Sequence, residues 1–178
     1  GTGSYTWNAV GSLGSYAQPG SPTETYTFDA GGRMTLVTDG AVSSAFGYDG
    51  LDRVTGRNGT AFTYSGASTD PVSVGSESFT WAAGGLVTVS ASGSLTFPLV
   101  DRHGDLIARF GADGTISGSA SFDPYGEPTG TTGTTTVLGF QSDYTDPSTG
   151  HVWMAARWYQ PSSATFVSRD SYGGEVQT

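Results

Sequence analysis

The chain has 178 residues, a formal net charge of −9, no cysteine, and seven arginines as its only basic residues besides two histidines. Glycine, threonine and serine number 28, 25 and 23, while hydrophobic residues make up 35% and aromatics 12%. These values exclude a disulfide framework, a thiolate nucleophile, a cysteine metal site and a lysine isopeptide cross-link. They also argue against a nucleic-acid surface, an anionic-membrane surface and a helical bundle. The opening Gly1-Thr2-Gly3-Ser4 has no signal-peptide pattern, and no apolar stretch approaches the roughly 20 residues of a membrane span. Membrane insertion is therefore not expected.

Along the chain one unit recurs: an aromatic, any residue, a second aromatic, then Asp or Asn, then glycine and a short alternating stretch. Tyr5-Thr6-Trp7-Asn8 opens the series, followed by Tyr26-Thr27-Phe28-Asp29 and Phe46-Gly47-Tyr48-Asp49. Phe62-Thr63-Tyr64 and Phe79-Thr80-Trp81 repeat the aromatic pair without the acid. Asp101 and Asp123 return to the acidic position without a full pair. Aromatics at i and i+2 share one face of a strand. The acid can accept bonds from the turn backbone, and a glycine two or three residues on permits a positive φ. Each unit thus predicts a hairpin, with following strands at Arg33–Val37, Arg53–Thr55 and Leu106–Phe110 and a turn at Ala112–Thr115. Stacked hairpins can share a continuous core. An ordinary β-sandwich would give as many turns, but not this fixed order.

Residues 129–136, six threonines and two glycines, read as a loop, with one strand as the alternative. Beyond them, Asp146-Pro147-Ser148-Thr149-Gly150 is a strong turn signal. Val152–Tyr159 reads as one strand, with a short helix as the alternative. Gln160–Ala164 turns again, and Thr165–Asp170 reads as extended.

The units at Tyr26, Phe28, Asp29, Gly32 and Arg33, and at Phe46, Tyr48, Asp49, Asp52 and Arg53, resemble the tyrosine–aspartate repeats of rearrangement-hotspot (RHS) proteins. The string Gly139–Gly150, then Ala156–Asp170, is similar to the RHS repeat-associated core. It carries Asp146, Pro147, Gly150, Arg157, Trp158, Tyr159, Pro161, Phe166, Arg169 and Asp170, with Gly173 just beyond. The resemblance implies an all-β fold in which repeated antiparallel hairpins form a curved or spiralling sheet, part of an RHS-type shell. Repeats would span 5–128 and a partial core 137–174. The implied role is a non-catalytic wall that encapsulates or presents a C-terminal toxin or effector in a secreted or surface bacterial protein. Its partners would be the remaining shell and the enclosed domain, with no nucleic acid and no cofactor. The family core also self-cleaves, using Asp-Pro-x-Gly-Leu elements. Here Asp170 and Gly173 match the first element, Ser171 and Gly174 depart from it, and no second element follows, so cleavage is not expected.

Two alternatives remain at this stage. Exposed aromatics could hold carbohydrate or a cell surface, or the chain could be a fragment of a self-cleaving aspartate-dependent core. Burial of Trp7, Phe28, Tyr48 and Trp81 in one lining would favour the wall. Asp29, Asp49, Asp101 and Asp123 read as turn acceptors rather than calcium ligands, since no calcium-loop spacing occurs. Asp101-x-His103-x-Asp105 could hold a metal in principle, but Gly104 favours a turn, and no metal site is assigned. His151 reads as exposed or stacked at a strand start. Arg157 and Arg169 are expected to pair with Asp143, Asp146 or Asp170, so Arg157→Ala should destabilise more than Arg57→Ala. Open sheet edges are expected either to self-associate or to be blocked by terminal segments.

Overall fold

The computed structural model describes residues 3–170, so Gly173 lies outside the described residues. Fourteen strands form one antiparallel sheet in strict sequence order. They are β1 (Ser4–Trp7), β2 (Leu13–Ala17), β3 (Glu24–Phe28), β4 (Met34–Asp39), β5 (Val42–Tyr48), β6 (Val54–Arg57) and β7 (Thr60–Tyr64). The sheet continues through β8 (Pro71–Val74), β9 (Glu77–Ala82), β10 (Gly85–Ala91), β11 (Ser94–Val100), β12 (Leu106–Phe110), β13 (Ile116–Phe122) and β14 (Pro128–Gly133). A second sheet follows from β15 (Tyr144–Thr145), β16 (Val152–Met154), β17 (Arg157–Gln160) and β18 (Thr165–Phe166).

The repeat unit has one local cause. Asp29 Oδ1 accepts the backbone N–H groups of Gly31 (2.9 Å) and Arg33 (3.0 Å). Asn8, Asp49, Asp101 and Asp123 accept from the second and fourth residues after them in the same way. The acid therefore satisfies two turn donors at once. The third residue after it takes a left-handed conformation, as at Gly32 with φ 82°. Asp52 fills that position in the next unit at φ 62°, where a side chain is strained. Register shifts at Phe28, Tyr48, Tyr64, Val100 and Phe122 mark β-bulges, which increase local twist.

The bulge separates the fates of the two aromatics. Tyr26, Phe46, Phe62 and Phe79 are buried, whereas Phe28, Tyr48, Tyr64 and Trp81 are half-buried against the same core. The second aromatic reaches back to the preceding strand. Tyr48 and Tyr64 donate their hydroxyls to the Met34 (2.5 Å) and Val54 (2.7 Å) carbonyls, and Trp81 donates its indole N–H to that of Pro71 (2.8 Å). Tyr5 and Trp7 differ, standing 40% and 53% exposed on the outermost strand β1. Solvated positions carry cross-strand hydroxyl pairs instead, as at Thr6–Ser15 (2.7 Å) and Ser119–Thr132 (2.8 Å).

Two expectations need correction. Residues 129–136 are not simply a loop, because β14 extends to Gly133; threonine suits an exposed strand, and Thr129 and Thr132 pair with β13 serines. Val152–Tyr159 is not one strand but a hairpin, turning at Ala155 with φ 56°. In the final extended segment Thr165–Phe166 pairs with β17 as a strand, and the Val167 N–H donates to Trp158 O at 3.0 Å.

Candidate functional site: the seam between the wall and the C-terminal sheet

The inner face of the fourteen-stranded wall would leave a row of aromatic and aliphatic side chains in water. The second sheet covers it. Trp158, Trp153, Tyr144, Leu138 and Val167 join the wall residues in one buried cluster. Phe46 lies 4.2 Å from Trp158 and Phe62 4.7 Å from Tyr144, centroid to centroid. Trp158 donates its indole N–H to the Tyr48 hydroxyl at 2.9 Å. Backbone bonds reach both halves of the wall, from Leu13 N to Val167 O (2.8 Å) and from Leu106 N to Gly139 O (3.0 Å). Tyr159 adds a bond from its hydroxyl to Tyr125 O at 2.9 Å.

A buried polar network is set into this apolar seam. Asp146 is wholly buried, and its Oδ1 lies 2.7 Å from Arg57 Nε. That approach is off the hydrogen-bonding direction, so the contact is ionic while Oδ1 lacks an aligned donor. Oδ2 is satisfied by the hydroxyls of Ser44 (2.7 Å) and Thr149 (2.6 Å). Nearby, the Tyr26 hydroxyl and Gln160 amide donate to Glu24 Oε2 at 2.5 and 2.8 Å. His151, fully buried, sets Nδ1 3.0 Å from the Thr149 hydroxyl and Nε2 3.4 Å from Glu24. Its ring meets Tyr26 edge-on. Burial pulls the His151 pKa down to about 4 and pushes the Glu24 carboxyl up.

The network has acid, imidazole and hydroxyl, but not in a nucleophilic order. The Thr149 hydroxyl gives its proton to Asp146, so it can only accept from His151 Nδ1–H. A nucleophile would instead hand its proton to the imidazole. Among the described residues no group of three or more His, Cys, Asp or Glu side chains could hold a metal ion.

The repeat residues assemble as a ladder. Arg33 binds Asp29 Oδ2 through Nε (2.7 Å) and reaches Asp52 of the next unit at 2.9 Å. Its guanidinium also lies over the Tyr48 ring, 5.1 Å from the centroid. Arg53 repeats the contact with Asp49 (2.8 Å) and sits 4.5 Å from the Tyr64 ring centroid. Burial opposes ionisation of Asp29, yet the Arg33 guanidinium and the turn amides hold its pKa below the usual carboxylate range. Asp101 caps its turn, while His103 pairs with Asp105 at 3.0 Å.

In the C-terminal segment, Pro147 is exposed in its turn and Gly150 is left-handed. Pro161 starts a short 3-10 turn, Pro161–Ser163. Arg157 pairs with exposed Asp170 at 3.1 Å and lies over the Phe166 ring. Arg169 is exposed beside Gly11. The geometry therefore predicts the opposite ranking of the two arginines, because Arg57 holds the buried acid and Arg157 the exposed one. His151 is neither exposed nor stacked, being buried with its ring edge-on to Tyr26. Arg57 was missed although its position carried a signal. It follows Asp49 by eight residues, the inward register filled by Tyr16 and Val37 in the two preceding units.

Fold and seam define an all-β repeat protein, with antiparallel hairpins in a large curved sheet and a C-terminal sheet on its inner face. The fold is that of the crystal structure of TcdB2-TccC3, with a TM-score of 0.52 at 17% identity, over 95% of this chain and 9% of that one. No family model matches. In sequence the chain is distantly related to WapA proteins: 29% identical over 174 residues to the tRNA3(Ser)-specific nuclease WapA of Bacillus spizizenii. The tRNA nuclease WapA of Bacillus subtilis matches at the same identity. The match takes in 93% of this chain but only 7% of either relative.

Proposed function

We propose that this chain is a non-catalytic segment of an RHS-type β-shell, combining hairpin repeats (5–128) with part of the repeat-associated core (137–174). The shell encloses or presents a C-terminal toxin or effector domain in a bacterial protein that is secreted or held at the cell surface. The observation that carries this reading is the seam. The C-terminal sheet lies on the inner face of the wall and is tied to strands at both ends of it, as a segment closing a shell from inside would be. Distant similarity to two bacterial nucleases many times longer supports it, because a wall segment is a small share of such a chain. The aromatics support it as well: four units face them into the core, leaving the carbohydrate-binding alternative, among the described residues, Tyr5 and Trp7 on β1 and Tyr125 between β13 and β14.

The test is protease protection in the full-length polypeptide that contains this segment. The enclosed domain should resist a protease that degrades the same domain expressed alone, and should become sensitive once the shell is unfolded. Equal digestion rates for the free and shell-borne domain would reject enclosure.

A further inference from the structure

Arg57 and Arg109 stand in the same place of two repeat units, each eight residues after the turn acid, Asp49 or Asp101. Both point to the inner face. Arg57 meets the buried carboxylate of Asp146 there. Arg109 is only 4% exposed, yet among the described residues no carboxylate lies within ion-pair distance of it. Among the described residues its guanidinium makes one hydrogen bond, from Nη2 to the Thr134 carbonyl at 2.6 Å. Glu77, the acid whose field it feels, is engaged by the Thr136 hydroxyl. A buried guanidinium without a counter-charge is costly, and a carboxylate is its natural partner.

The space for one is present. Arg109 lines a cavity of about 180 Å³ between β12–β14 and the connection 134–139, with Leu106, Ala108, Ala120, Phe122 and Leu138 among its walls. The cavity exists because Ala120 stands two residues before Phe122, where earlier units place Tyr26 and Phe46. A site lined by apolar groups and of about 150 Å³ can hold a benzene ring. The geometry points to a binding site for a small monocarboxylate with an apolar body, its carboxylate on Arg109 and its body against Ala120 and Leu138. This site is independent of the shell reading, since it rests on Arg109 and the cavity it lines.

Benzoate is a suitable probe, with benzyl alcohol as the neutral match and chloride and phosphate as bare anions. Amide NMR shifts should saturate with benzoate at Ala108, Gly118, Ala120 and Leu138. Binding should weaken about tenfold or more with benzyl alcohol and in Arg109→Met, which keeps the apolar stem. Ala120→Phe keeps the guanidinium but fills the cavity, and should abolish binding while the thermal melt stays cooperative. Three outcomes would overturn the site: no saturable shift in the folded wild type, benzyl alcohol or Arg109→Met matching benzoate on the wild type, or bare anions producing the same shifts. If neither variant folds, the comparison of benzoate, benzyl alcohol and bare anions on the wild type still decides.

Discussion

Asp146 concentrates the electrostatic risk of this molecule in one side chain. Removing one partner of a buried pair leaves the other charge desolvated, at about 3–5 kcal/mol. Asp146→Ala should therefore lower unfolding stability by an amount of that order in a denaturant titration. Arg157→Ala breaks a pair exposed at its Asp170 end and should cost about 1 kcal/mol or less. One buried and one half-buried group also tie stability to pH, with opposite signs. His151 has a folded pKa of about 4 against a usual 6.5, so the unfolded chain takes up the proton first and stability is lost as pH falls through that window. Asp143 is pushed up to about 7 from 3.8, by burial and then by Asp70, so the folded chain holds a proton that the unfolded chain releases. Its contribution is present at low pH and lost as pH rises toward 7, and the raised Glu24 acts in the same direction. Asp143→Asn should thus lose stability between pH 7 and 4.5 more steeply than the wild type; parallel pH profiles would contradict this. Little of this chemistry was legible in the sequence. The turn acids were, because their partners lie within four residues. The Asp146, Ser44 and Arg57 contacts were not, since they join positions about a hundred residues apart in the chain.

The hairpin unit was readable because its acid, left-handed residue and aromatic pair all act locally. Its clamp onto the preceding strand was not, since only the bulge at the second aromatic turns that ring's polar end toward the neighbour. The clamp has a graded consequence. The Tyr48 hydroxyl donates to Met34 O and accepts from Trp158, whereas among the described residues the Tyr64 hydroxyl bonds to Val54 O alone. Tyr48→Phe leaves a carbonyl and an indole N–H without their partner and should cost about 1–3 kcal/mol, with Tyr64→Phe costing less. Comparison of the two melting temperatures checks the order. The hairpin β16–β17 escaped sequence reading for a different reason: Ala155 takes a left-handed turn without the Gly, Asn or Asp that usually announces one.

On the scale of the whole chain, fourteen strands in sequence order form a wall whose inner face is apolar, and the C-terminal sheet buries that face. The order of the strands follows from short hairpins, which pair neighbours first. The docking of the last sheet follows from packing, through Trp153, Trp158 and Tyr144 on Phe46, Tyr48 and Phe62. Wall and C-terminal sheet therefore share one core and should unfold together rather than as two bodies. The most direct measurement of this is the nuclear Overhauser contact between side chains far apart in sequence. Cross-peaks from the Trp158 indole to the Phe46 and Tyr48 rings are predicted in the folded chain, because the first pair of rings is 4.2 Å apart and the second is hydrogen-bonded. With all three rings assigned, an indole that contacts only its own sheet would contradict the account.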